Sequence, residues 1–166
     1  MNDYINTAER GEQAMIKDSG DRREYETGAV RDMAAGKGRC DLLPLDVAAM
    51  ILLQNGKVLR LIAEFQRSED TTFLYEALSI FCRSCDWDES TMLLEVAKHM
   101  EEGAKKYGER NWEKGLPVNC YIDSAVRHYL KWRRGDNDEP HDRAFCWNVM
   151  CCIWTIMHKS EKGCEQ

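Results

Sequence analysis

Four segments within residues 95–148 decide the fold of this chain: EVAKHMEE (95–102), GAKKYGERNWEKG (103–115), YIDSAVRHY (121–129) and RGDNDEPHDRAFCWN (134–148). Carboxylates, histidines, an asparagine and several cations recur in them at helical spacing. Successive helices with such inward-facing groups are how a helical bundle builds a metal and phosphate site. The expected fold class is therefore all-α, a helical bundle preceded by a loop-rich N-terminal arm.

Outward from that stretch, periodicity places the other helices. Glu89 to about Lys106 forms one, with Met92, Leu93, Val96 and Met100 as its apolar face, Asp88 or Ser90 as cap and Gly108 as terminator. A second runs from about Asn119 to Arg133. A third runs from Glu139 to His158, with Pro140 in its first turn and enough apolar residues to lie deep in the bundle. Upstream, Val47, Met50, Ile51, Val58, Leu61, Ile62 and Phe65 recur at helical spacing over residues 45–67, and Asn55-Gly56 marks a break. Residues 71–82 form another amphipathic helix. Residues 27–46, rich in glycine and cations, read as a loop, and residues 1–26 as a flexible polar arm; residues 27–160 then form a single helical domain.

Composition bounds the function. A net charge of −6 disfavours a protein that coats nucleic acid, because phosphate neutralisation needs clustered excess Lys and Arg. No apolar run is long enough to span a bilayer, and the N-terminus carries no apolar signal region, so a cytoplasmic protein is expected. Eight cysteines supply a single CxxC, Cys82 and Cys85, without the second pair a structural zinc site normally shows; free thiols in a reducing compartment are the expectation.

Glu95, His99 and Glu102 stand at i, i+4 and i+7 and share one helix face, which suits a divalent cation and equally a solvated face with Glu–Lys pairing. Asp123 and Arg127 form an i, i+4 pair, and His128 alone reads as an ordinary partly buried histidine. Asp138, His141 and Asn148 face one way on the last helix, and a buried Asn148 needs hydrogen-bond partners. Asp138 serves equally well as a turn or cap residue. Lys105, Lys106, Arg110 and Lys114, with Lys37 and Arg39 of the glycine-rich loop, offer charge to a polyphosphate. Tyr107 and Trp112 are core staples or base-stacking groups. No nucleophile stands beside a base, so covalent catalysis is disfavoured. Carboxylates with cations suit metal-assisted phosphate-ester hydrolysis.

Two blocks, TGAVRDMAAGKGRCDLLP (27–44) and GAKKYGERNWEKG with DSAVRHYLKWRRGDNDEPHDRAFCWN (103–115 and 123–148), resemble a family of mostly bacteriophage dATP/dGTP diphosphohydrolases. The resemblance implies an all-α fold similar to MazG-type nucleoside triphosphate pyrophosphatases, which release diphosphate by cleaving between the α- and β-phosphates. It also implies purging of dATP and dGTP in phages that replace adenine with 2-aminoadenine. Those enzymes carry ExxE and ExxD motifs with a later Asn. Here Lys98 replaces the second Glu of the first motif, and the second motif is Asp138-x-x-His141 followed by Asn148.

The expected activity is hydrolysis of a (deoxy)purine nucleoside triphosphate with Mg²⁺ (or Mn²⁺). Glu95, Glu102 and Asp123 are the catalytic candidates, and Glu95, His99, Glu102, Asp123, Asp138 and His141 the metal candidates. Lys37, Arg39, Lys106, Arg110 and Arg127 are expected on phosphates, and Asn111, Trp112 and Asn148 on sugar or base. A homo-oligomer, dimer or tetramer, is expected, without a membrane or stable nucleic-acid partner. Two rivals are a nucleotide-binding sensor without turnover and a protein that binds a host partner through its last helix.

Overall fold

The computed structural model describes residues 20–52 and 56–162; for residues 159–162 the description stops at the backbone. The first 19 residues of the expected arm, and Asn55 of the expected break, lie outside the described residues. Among the described residues the chain is all-α apart from one two-stranded hairpin, and no helix is long and apolar enough to cross a membrane.

The hairpin corrects the expected loop, and its first strand lies within the expected arm. Strand β1 (Arg22–Glu24) pairs antiparallel with β2 (Val30–Asp32), Arg22 opposite Asp32 and Arg23 opposite Arg31. Three residues per strand are too few to show an alternating pattern, so the sequence carries no strand signal here. The turn closes through Gly28 N–H donating to Tyr25 O (2.7 Å) and Tyr25 N–H donating to Ala29 O (2.9 Å), with Gly28 at φ +76°, a region that glycine enters without strain.

Helix α1 (Leu45–Ile51) follows a short 3-10 turn (Cys40–Leu42), and α2 (Lys57–Ser68) and α3 (Thr72–Ser84) pack against each other. The periodic face assigned to α1 is not buried: Val47, Met50 and Ile51 are exposed, Ile51 by 75%, while Leu45 and Ala49 are the residues that pack. A seven-residue helix meets α2 along one short stripe, and apolar periodicity does not say which stripe that is. Leu93 in the helix that follows α3 is likewise exposed, whereas Val96 and His99 of the same helix are buried.

Helix α4 (Glu89–Tyr107) starts where Asp88 accepts a hydrogen bond from Thr91 N–H (2.7 Å) and stops at Gly108. A 3-10 turn (Asn111–Lys114) leads into α5 (Val118–Arg134), which ends on Gly135 in the left-handed conformation. Helix α6 (His141–Lys162) packs along α5 and also against α4 and α3. The three-way junction is aromatic: Phe81 of α3 meets Phe145 of α6 at 4.3 Å between ring centroids and Trp132 of α5 edge-on at 4.8 Å. This core leaves one face of α5 and the N-terminal half of α6 opposite α4 and the hairpin.

The α1–α2 junction has no room for a β-carbon at Gly56, where one would sit 1.9 Å from the Ala49 carbonyl oxygen, while Gly103 on α4 has open space. Gly56→Ala is expected to destabilise by at least about 1–3 kcal/mol. Gly103→Ala, in the interior of an accessible helix, is expected to stabilise by about 0.4–1 kcal/mol. Denaturant midpoints of the two variants should move in opposite directions; a shared direction would contradict this packing.

Candidate functional site

A cavity of about 1070 Å³ opens between the hairpin with its following loop, α4, the 108–117 connector and one face of α5. That is at the upper end of the volumes that enclose small ligands, and large enough for a nucleotide. Its wall is built by contacts the hairpin makes with elements about 80 residues away. Asn111 donates to Val30 O and accepts from Val30 N–H, both at 2.9 Å, so its amide extends β2 as a neighbouring strand would. Thr27 Oγ1 donates to Gly115 O (2.7 Å) and Lys114 Nζ to Gly28 O (3.0 Å). Asn111, expected on sugar or base, therefore spends both sides of its amide on docking the hairpin.

The hairpin and loop bring cations to the cavity. Asp32 accepts from Lys106 Nζ (2.7 Å) and Arg22 Nη1 (3.0 Å), and Lys37 Nζ stands 4.0 Å away. Lys37 lines the cavity with its ammonium pulled below its ordinary pKa, first by burial and then by Arg127, against the pull of Asp32. Arg31 donates to Asn148 Oδ1 (2.9 Å) and lies over the Trp147 ring, while Asn148 donates to Ala144 O (2.8 Å). The partner that a buried Asn148 requires is thus a guanidinium from the hairpin.

Asp123 and Arg127 do more than pair with each other. Asp123 Oδ1 accepts from Cys40 N–H (2.6 Å), and Arg127 donates to Lys37 O (3.2 Å) and Gly38 O (3.4 Å), so the α5 pair fastens the glycine-rich loop across the cavity edge. Arg39 points elsewhere, in a two-contact pair with Asp41 (2.7 and 2.5 Å) at an exposed position outside the cavity lining.

The carboxylate stripe of α4 meets a cation of the protein's own. Arg143 of α6, 3% exposed at its side chain, donates to Glu102 (2.6 Å) and lies 4.0 Å from Glu95, which is also paired with Lys98. Glu95 and Glu102 are not among the residues lining the cavity. His99, between them on the helix, does line it. Its Nδ1 is buried without a hydrogen-bond partner, and burial, then Arg143, Arg31 and Lys106, hold its pKa down at about 3. His99 is a neutral imidazole at working pH, packed 5.4 Å from Trp147.

At the other end of the cavity, Asp138 Oδ1 lies 2.8 Å from His141 Nε2, and His141 Nδ1 lies 2.9 Å from His128 Nδ1. Lys131 donates to the other Asp138 oxygen (3.3 Å). Among the described residues, the groups of three whose ligand atoms approach within 4.8 Å of one another are His128, Glu139 and His141, and Asp136, Asp138 and His141. Burial, and next His141, hold the His128 imidazole far below its ordinary pKa.

Of the expected residues, Lys37, His99, Arg110, Asn111, Trp112, Asp123, Arg127 and Asn148 line one cavity, with Lys106 behind its wall on Asp32. Asp138 and His141 sit together at its α5–α6 end, whereas Glu95 and Glu102 are held against Arg143. Sequence reasoning missed Arg31, Asp32, His128, Lys131, Glu139 and Arg143. His128 and Lys131 follow Asp123 and Arg127 at helical spacing, a signal that was available. Arg31 and Asp32 sit on a strand that local pattern does not reveal.

Residues 84–164 match the family model for dATP/dGTP diphosphohydrolase, N-terminal. No curated protein and no solved structure matches the chain. The matched span covers α4, α5 and α6; the hairpin, the glycine-rich loop and the 27–44 block lie outside it, although they supply Arg31, Asp32 and Lys37 to the cavity.

Two outcomes follow from the charge arrangement. Arg143→Met removes the buried guanidinium from the Glu102 carboxylate, 15% exposed at its side chain, and should cost about 3–5 kcal/mol in denaturant unfolding. Adding Glu102→Leu should recover most of that loss. For His99 the folded pKa lies below the unfolded one, so the unfolded chain binds the extra proton and stability falls as pH drops below 6.5. About 2 kcal/mol should be lost between pH 7 and pH 5, and His99→Gln should flatten that slope.

Proposed function

We propose, because residues 84–164 belong to the dATP/dGTP diphosphohydrolase N-terminal family, that this chain hydrolyses (deoxy)purine nucleoside triphosphates such as dATP and dGTP to the monophosphate and diphosphate. The observation that carries the reading is one cavity lined both by the cations Lys37, Arg127 and Lys131 and by the aromatic side chains Tyr107, Trp112 and Trp147. Lys37, Arg127 and Lys131 bind the triphosphate oxygens, with Arg110 at the mouth, and the rings stack on the purine. Arg31, oriented by Asn148, adds positive potential behind the Trp147 ring. His99, neutral and nine-tenths buried, presents an imidazole to the same space without adding charge.

The expected Mg²⁺ (or Mn²⁺) ligands do not fit as one set. Glu95 and Glu102 are neutralised by Arg143 and Lys98, Asp123 by Arg127, and Asp138 and His141 lie at the α5–α6 end of the cavity. In this reading the chain's own cations meet the charge of the triphosphate. The chain is taken to act in the cytoplasm as a homo-oligomer, for which the exposed Val47, Met50 and Ile51 of α1 offer apolar surface.

A second reading, nucleotide binding without turnover, draws on the same Arg143 contact, since carboxylates held by an internal guanidinium are not poised to activate water. A panel of deoxynucleoside triphosphates assayed for diphosphate separates the two. Hydrolysis predicts diphosphate from dATP and dGTP, and a fall in kcat/KM of about 10–100-fold in Lys37→Ala, the loss of one charge-assisted hydrogen bond. Tight binding by calorimetry with no diphosphate from any substrate selects the second reading.

A further inference from the structure

Of the donors expected for Mg²⁺, Asp138 and His141 come together, and they converge with His128 and Glu139 into a set whose chemistry differs. We infer that His128, His141 and Glu139 form a site for one borderline first-row divalent cation of the Zn²⁺ or Co²⁺ kind, with an open position facing the cavity, and that Asp138 is its outer partner. His128 and His141 approach Nδ1 to Nδ1 at 2.9 Å, and a Glu139 oxygen lies within 4.8 Å of a ring nitrogen of each. Two imidazole nitrogens on a tetrahedral ion stand about 3.3 Å apart, given metal–nitrogen bonds of about 2.0–2.1 Å. The observed spacing therefore needs only a few tenths of an ångström of opening.

The surroundings fix the tautomer that coordination requires. Asp138 accepts from His141 Nε2–H at 2.8 Å, which directs the His141 Nδ1 lone pair toward His128. A carboxylate behind a ligating histidine is the arrangement that orients metal-bound imidazoles. Lys131 holds the far oxygen of that carboxylate at 3.3 Å. His141 is 1% exposed, so its ring is fixed by packing, whereas His128 and Glu139 line the cavity. When both Nδ1 atoms bind the ion, the proton between them moves by way of solvent to His128 Nε2, so both rings ligate as neutral imidazoles with no net proton release. Imidazole donors favour borderline transition ions, whereas Mg²⁺ takes oxygen ligands and retains its water. Three protein ligands leave a fourth position open toward Lys37 and Arg127, where an anion would complete the shell.

The test uses the full chain freed of metal, without nucleotide, so its failure leaves the hydrolase reading untouched. Co²⁺ titration should give one equivalent with the visible ligand-field bands of a four-coordinate ion and no near-ultraviolet thiolate charge transfer. Zn²⁺ should displace it stoichiometrically, and Mg²⁺ in large excess should not. His128→Gln and Glu139→Gln should each abolish the bands. Asp138→Asn should keep the bands and weaken binding about 10–100-fold. His158→Gln, at the exposed end of α6, should change nothing, and melting curves without metal show whether each variant is folded. Thiolate charge transfer, bands that survive in folded His128→Gln, or displacement of Co²⁺ by equimolar Mg²⁺ would overturn the proposal.

Discussion

A charge taken out of water must be met by a partner on a neighbouring element, and that constraint organises this molecule. Arg143 of α6 meets Glu102 and Glu95 of α4. Arg127 and Asp123 of α5 hold the loop at Lys37, Gly38 and Cys40. Asp32 of the hairpin gathers Arg22, Lys106 and Lys37. Each contact joins elements that hydrophobic packing alone would leave free to slide, because an unpaired buried charge costs several kcal/mol while a shifted apolar contact costs little. The aromatic junction of Phe81, Trp132 and Phe145 supplies cohesion, and the charge contacts supply register.

The same constraint shapes the cavity. Its cations are partly committed: Lys37 is only loosely paired at 4.0 Å, Arg127 shares its guanidinium with backbone carbonyls, and Arg31 is oriented by Asn148. A polyphosphate entering such a space meets donors already held in place, so less ordering is needed on binding. The hairpin is essential to this because its Arg31 and Asp32, and the loop that follows them, lie outside the span matching the family. The family-matching span supplies part of the cavity lining, and the chain before α1 supplies the rest.

Donor chemistry divides the interior into two regions. Toward α4 the carboxylates are answered by Arg143, and the one imidazole, His99, is kept neutral by burial and the surrounding positive potential. Toward the α5–α6 turn two imidazoles face each other with carboxylates around them. A hard oxygen-seeking ion and a borderline ion would therefore find different prospects at the two ends.

Local pattern in the sequence determined the helices and most of their limits, because amphipathic spacing, the Asp88 cap and the glycines at 108 and 135 act within a few residues. Helical periodicity also marked the faces that carry His99, Arg127 and Asn148, which line one cavity together with Lys37 of the loop. Only the tertiary structure decided what those groups meet. Asn111 bonds a strand 81 residues earlier, Arg143 reaches 41 residues back to Glu102, and His128 turns from an ordinary histidine into a partner of His141. The exposed face of α1 shows the same limit in apolar terms. Periodicity defines a face, but the partner across from it is set by packing between distant segments, and a buried polar group takes its role from that partner.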